Sequence, residues 1–236
     1  ATLNVTSAGA ATYDAAKFPS DIDTYTLLGS GTISMTGAQL ASFDDSKMFV
    51  SGGALTVTAY NNNDLQNLNL NSGTVTVQAA DGGSITTTNL PTAKVTTIEV
   101  PASVESTMSA ADAASYLGDS TAITVNGSAT KLNITGYTNQ DLDSITGNAK
   151  LAVATADGAA IDSTKLPNAD VLSINIAAGT ASMTSGDATA YAATGTDADK
   201  ITIDTGAKLQ LTTFAAQDVS GLTNNGTLEI PNTNSA

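Results

Sequence analysis

The sequence predicts a mainly β fold, a parallel β-solenoid of short strands joined by turns and short helices, with tandem antiparallel β-sandwich domains as the alternative. Three observations predict it. Apolar residues fall in short alternating runs, the period of strands with one buried face. The runs recur about every 20 to 27 residues, spaced by segments long enough for the crossover that a parallel neighbour needs. The whole pattern then repeats at an offset of 77 residues.

Taken in chain order, residues 55–57 (Leu-Thr-Val), 75–77 (Val-Thr-Val), 95–100 (Val-Thr-Thr-Ile-Glu-Val) and 123–125 (Ile-Thr-Val) are the predicted strands of one unit. The alternation sets Val, Ile or Leu on one side and Thr or Glu on the other, over residues 98–100 in the longest run, as a half-buried pleat requires. Asn, Asp and Gly turns separate them. Two intervening segments, 64–68 and 109–117, begin on Asp or Ser and are long enough for one to three helical turns.

The repeat is read by self-comparison. Residues 54–68 lie over 131–145, 84–100 over 160–176, and 108–116 over 183–191, while a shorter copy, 209–222, lies over 132–145. The amino-terminal part is placed by the same pattern, with 3–5 set against 98–100 and 174–176, and 21–27 against 197–203. Four segments follow: a partial unit over 1–53, units over 54–130 and 131–207, and a partial unit over 208–236. Starting and stopping within a unit makes the two ends complementary fragments. Ala1 in place of a start methionine is expected of a processed or excised chain.

Composition narrows the function. Against 22 acidic residues stand 8 basic ones, all lysine, for a net charge of −14, and Arg, His, Cys and Trp are absent. Those are the side chains that most often grip phosphate, shuttle protons near neutral pH, ligate zinc or attack a carbonyl, so no catalytic residues are expected. An acidic surface repels nucleic acid and anionic lipid, which are bound by clustered Lys and Arg. No run of 18 apolar residues or leader pattern is present, so neither membrane insertion nor a retained signal peptide is expected. With 41% hydrophobic and only 13% charged residues, the chain has enough patterned apolar surface to fold, and disorder is not expected.

The Thr-, Ala-, Asp- and Asn-rich composition and units such as Leu132-Asn-Ile-Thr-Gly, followed by Gln140-Asp-Leu, resemble the repeat regions of bacterial S-layer proteins and large secreted adhesins. The runs Leu65-Gln-Asn-Leu-Asn-Leu and Leu90-Pro-x3-Val-x2-Ile-x-Val are similar to degenerate leucine-rich repeats. The resemblance implies an extracellular, bacterial cell-surface location, lattice or filament assembly, and calcium dependence. It departs from type I-secreted calcium repeats, since Ala80-Asp-Gly-Gly-Ser is only an echo of their glycine-rich nonapeptide.

Calcium is the ligand the residues favour, because hard cations take carboxylate and carbonyl oxygens. The candidate ligands are Asp21, Asp23, Asp197 and Asp199, two alternating pairs set in equivalent places by the alignment above, where Asp119 stands alone in the copy between. The competing reading makes them turn residues capping local N–H groups. Asp44-Asp45 and Asp141-Leu-Asp143 are weaker candidates, Asp141 reading as a helix-start residue like Asp64 and Asp218. Paired carboxylates also suit a glycosidase, but aromatic platforms are scarce at 4% of residues. Threonine pairs such as Thr56/Thr58 and Thr74/Thr76 suggest a hydroxyl array of the ice-binding kind, yet the next copy replaces them with Asn133/Thr135 and Lys150/Ala152. The expected function is therefore structural: a self-assembling S-layer or filament component, its partners copies of itself joined head to tail, and cell-surface polysaccharide. An adhesive module of a giant adhesin is the alternative, ahead of an ice- or carbohydrate-binding module.

Overall fold

The computed structural model describes residues 2–6, 9–12, 23–42, 48–127, 129–147, 151–166, 171–192, 201–213 and 222–231, a mainly β chain. Four sheets order the strands. The first holds β1 (Thr2–Thr6), β3 (Thr24–Leu28), β5 (Met48–Ser51) and β7 (Asn69–Leu70). The second holds β2 (Ala10–Thr12), β4 (Thr32–Thr36), β6 (Ala54–Tyr60), β8 (Thr74–Ala79), β10 (Thr97–Val100), β12 (Ala122–Val125) and β14 (Thr146–Gly147). The third holds β9 (Gly83–Ile85), β11 (Glu105–Ser109), β13 (Lys131–Tyr137), β15 (Leu151–Thr155), β17 (Val171–Ile176), β19 (Ile201–Ile203) and β21 (Leu222–Asn224). The fourth holds β16 (Ala159–Ile161), β18 (Thr180–Met183), β20 (Lys208–Leu211) and β22 (Thr227–Glu229). Helices α1 (Gly37–Ala41), α2 (Ala110–Gly118) and α3 (Ser185–Ala192) follow β4, β11 and β18.

Every pairing among the described residues is parallel, which corrects the antiparallel β-sandwich alternative. The reason lies in the connections. Strands adjacent in sequence fall in different sheets, and the chain returns to the same sheet one position further on: Leu132 pairs with Leu151 after 19 residues, Thr180 with Lys208 after 28. No hairpin of two to five residues joins strands among the described residues, and crossovers of this length carry parallel neighbours. The arrangement is compatible with a parallel β-solenoid.

Alternation along each strand places the core. In the second sheet Met35, Val57, Val77, Ile98 and Ile123 lie opposite one another in register, all at most 1% exposed. In the third, Ile134, Val153, Ile174 and Ile201 line up likewise, at most 2% exposed. Each such side chain contributes about 1.5–3 kcal/mol by leaving water. Turns between sheets are tight enough to need glycine at Gly53, whose φ of +70° is left-handed and where a Cβ would sit 2.7 Å from the carbonyl oxygens of Gly29 and Gly31.

The repeat is legible in three dimensions as a step. The equivalent strands β6, β13 and β20 lie in the second, third and fourth sheets, and the three helices follow strands of those same sheets. One unit of seven strands thus moves each equivalent element on by one sheet. Counting back from β6 and α1 also corrects the amino-terminal alignment by one coil. The order strand, strand, helix, strand, strand sets β3 against β10 and β17, so Tyr25–Leu27 correspond to 98–100 and not to 201–203. Likewise β1, with Leu3 and Val5, corresponds to β8. Residues 109–117 do form a helix, but 64–68 do not: the Asp64 carboxylate accepts from Gln66 N at 3.1 Å and closes a turn instead.

Candidate functional site

Of the four candidate calcium ligands, Asp23 is described, exposed and just ahead of β3, whereas Asp21, Asp197 and Asp199 lie outside the described residues. The corrected element order removes their positional equivalence, because Asp197 and Asp199 precede β19, the counterpart of β12 and of β5. By that order their counterparts in the earlier units are Asp119 and Asp44-Asp45, the latter also outside the described residues. Among the described residues no three acidic side chains converge on one point as a metal-binding group. Asp141 does not start a helix; its carboxylate accepts from Asp143 N at 3.3 Å, as Asp64 does in the preceding unit.

The acidic residues that the structure places in defined geometry join one coil to the next. In the turn after β8, Asp81 Oδ1 accepts from Glu105 N at 3.0 Å while Gly82 N donates to Glu105 O at 2.7 Å. The next unit repeats the pair: Asp157 Oδ1 accepts from Thr180 N at 2.7 Å, and Gly158 N donates to Thr180 O at 2.7 Å. The Ala80-Asp-Gly-Gly echo is thus a turn that binds the coil above it, its Gly82 at φ +66°.

A second pair stands at the helix starts. Ser109 caps α2, its hydroxyl accepting from Asp112 N at 3.0 Å and donating to Asp112 Oδ2 at 2.6 Å. The other oxygen, Oδ1, accepts from Thr87 N at 2.9 Å and Thr87 Oγ1 at 2.6 Å, one coil earlier. At α3, Asp187 takes Thr184 and Ser163 in the same roles, with Ser163 N at 3.0 Å and Ser163 Oγ at 2.7 Å. At α1 a neutral amide takes that place: Gln39 closes a reciprocal capping box with Thr36. Burial pushes the Asp112 and Asp187 carboxyls up, but the hydroxyl and backbone donors around them outweigh it and hold both below the usual carboxylate range. That is the state of a permanent acceptor. A general acid at neutral pH needs the opposite shift.

Four buried tyrosines complete the layer. Tyr116 and Tyr191, on α2 and α3, donate to the carbonyls of Leu90 at 2.5 Å and Leu166 at 2.6 Å; Tyr60, ending β6, donates to Asn63 O at 2.9 Å. Tyr137 ends β13 in the same place as Tyr60, yet its hydroxyl has no hydrogen-bond partner among the described residues, and burial pushes its phenol up to about 12. Sequence reasoning missed Asp112 and Asp187. The signal that marks them is Ser109-x-x-Asp112 and Thr184-x-x-Asp187 ahead of an Ala-rich segment.

Two open depressions flank the end of α2. One, of about 570 Å³, is lined by Thr87, Pro91, Thr92, Ser115, Gly118 and Asp119, and there the Thr92 hydroxyl donates to Asp119. The other, of about 260 Å³, is lined by Ala114, Leu117, Gly118, Asp141, Asp143 and Ser144. Both offer hydroxyls and carboxylates suited to water and weakly held cations. No helix among the described residues is long and apolar enough to cross a membrane. No family model, curated protein or solved structure matches the chain.

Proposed function

We propose that this chain is a structural component of a bacterial cell surface, a self-assembling S-layer or extracellular filament building block with no catalytic role. The observation that carries the reading is the repeat step: seven-strand units moved on by one sheet each, every described pairing parallel. Such a stack grows by adding coils, each touching only its neighbours, and its outermost strands expose unpaired N–H and C=O groups that template further strands. In this reading the coils close into a solenoid of degenerate leucine-rich-repeat type, and copies join head to tail. The composition, without Arg, His or Cys, and the use of Asp112 and Asp187 as structural acceptors support a non-catalytic role.

Calcium is the proposed ion, on Asp21, Asp23, Asp197 and Asp199, and the support for it is the acidic composition alone. Sedimentation velocity and electron microscopy with and without calcium test both parts. Ordered arrays or concentration-dependent growth are expected, and a monomer under both conditions contradicts assembly. An Asp197→Ala/Asp199→Ala variant with unchanged calcium response and melting temperature contradicts the ligand assignment.

A further inference from the structure

At two places one coil is joined to the next differently from the rest of the stack. Elsewhere two strands of a coil pair with two of the next, as β10 pairs with β12 over four residues and β11 with β13 over five. From Asn61 to Leu70 no described residue pairs with a later strand: β7 is the last strand of the first sheet, and β9 is the first of the third. Residues 138–147 repeat this step one unit on, with β14 last in the second sheet and β16 first in the fourth.

Scattered bonds take the place of the missing ladder. At the first step Ser84 N donates to Asn61 Oδ1 at 3.2 Å, Thr86 Oγ1 to Asn62 Oδ1 at 2.7 Å, Asn89 Nδ2 to Asn62 O at 3.0 Å and Leu65 N to Asn89 O at 2.7 Å. At the second, Ala160 N donates to Thr138 O and Leu142 N to Lys165 O, at 2.7 and 2.8 Å. Bonds made by exposed and half-exposed groups trade readily with water. The ladder that crosses each step is itself interrupted: β6 shifts register on β8 between Val57 and Tyr60, and β13 on β15 between Ile134 and Tyr137. Within those shifts the backbone is left-handed, at Ala59 with φ +48° and at its repeat equivalent Gly136 with φ +66°. At Ala59 this is strain, since its Cβ crowds the following carbonyl oxygen. Leu65 and Leu68 at the first step, and Leu142 and Ile145 at the second, are buried and keep the steps shut at rest.

We propose that the two steps are built-in opening points, at which the stack parts into blocks of whole coils before the chain unfolds globally. These openings require no self-assembly and belong to the single chain. In a stack each coil touches only its neighbours, so stability is set junction by junction. The junction with the fewest in-register backbone bonds then opens at the lowest free energy. A chain built this way yields at two defined places instead of unravelling from an end, and the repeated segment that begins Asn61-Asn-Asn-Asp-Leu in one unit and Thr138-Asn-Gln-Asp-Leu in the next is the element that sets them.

The test is native-state hydrogen exchange of the intact chain, read by NMR at single amides. Ala80 N and Ala156 N donate across the steps to Tyr60 O and Tyr137 O, at 2.8 and 2.9 Å. Asn126 N and Asp204 N make the same bond across ordinary junctions, to Val100 O and Ile176 O at 2.9 and 3.0 Å. Corrected for intrinsic rates, Ala80 and Ala156 are expected to exchange roughly tenfold faster or more than Asn126 and Asp204. Gly136→Ala supplies a second readout. The first step already carries alanine at that position and the space around Gly136 is open, so the variant folds. It is expected to speed exchange at Ala156 about fivefold, the cost of a Cβ in left-handed backbone, and to leave Ala80 within about twofold of wild type. Equal or greater protection of Ala80 and Ala156 in the wild type overturns the proposal. So does a Gly136→Ala effect that is absent at Ala156 or shared by all four amides, since the opening is then global unfolding alone.

Discussion

Asp112 Oδ1 accepts both the backbone N–H and the hydroxyl of Thr87, at 2.9 and 2.6 Å, and so ties the start of α2 to the coil 25 residues earlier. The same carboxylate closes the cap of its own helix through Ser109. One side chain therefore fixes both a helix end and the stacking of two coils. Asp112→Ala keeps the Ser109 cap on the backbone N–H of residue 112 but takes the acceptor from the Ser109 hydroxyl and from the N–H and hydroxyl of Thr87, and is expected to lower unfolding free energy by about 1–3 kcal/mol. Denaturant unfolding of the variant checks it, and Asp187→Ala should cost a similar amount.

Acid stability follows from the same pair. The folded-state pKa of each lies below the ordinary aspartate value, so the unfolded chain binds protons first as pH falls. Their contribution is complete above the unfolded value of about 3.9 and is lost as pH drops through the folded one. Melting temperature should change little from pH 7 to 5 on their account and fall below about pH 4. An Asp112→Asn/Asp187→Asn variant should start lower at neutral pH and lose less between pH 5 and 3.

The tyrosines give opposite expectations for one substitution. Tyr116→Phe and Tyr191→Phe strand the buried carbonyls of Leu90 and Leu166, at a cost of about 1–2 kcal/mol each. Tyr137→Phe deletes a buried hydroxyl without a partner among the described residues, and stability should be unchanged or up to about 1 kcal/mol higher. Thermal melts of the three variants side by side give the comparison.

Gly53→Ala combines a left-handed φ with overlap against two carbonyl oxygens of the preceding coil. A loss of about 2–4 kcal/mol is expected. At Gly82, also at positive φ but with open space around it, the loss should be nearer 1 kcal/mol. Their difference, measured by urea unfolding, isolates the close approach of neighbouring coils.

Strands and repeat were readable in the sequence because Leu55/Val57, Val75/Val77 and Ile123/Val125 carry the period-two pattern and all are fully buried. What the pattern could not index was which coil a strand belongs to. Thr24–Leu28 and Ile201–Ile203 alternate alike, so alternation alone set one against the other. The helix starts break that degeneracy: Thr36, Ser109 and Thr184 each precede Gln or Asp by three residues and mark one place per unit. Thr36 was hidden because its helix is five residues long and its partner is Gln39. Asp64 and Asp141 misled in the opposite direction, since Asp favours an Asx turn as readily as a helix cap. For the calcium candidates, alternating Asp residues show available oxygens without saying which backbone N–H groups already hold them.

In-register parallel stacking of successive strands makes the continuous faces on which the proposed assembly rests. Because the chain has no cysteine, spin labels can be placed on introduced Cys pairs without background. Thr56 lies directly opposite Thr76 in the second sheet, whereas its repeat equivalent Asn133 lies in the third. Strong dipolar broadening is predicted for Thr56→Cys/Thr76→Cys and none for Thr56→Cys/Asn133→Cys. Broadening in the second pair but not the first would contradict this stacking.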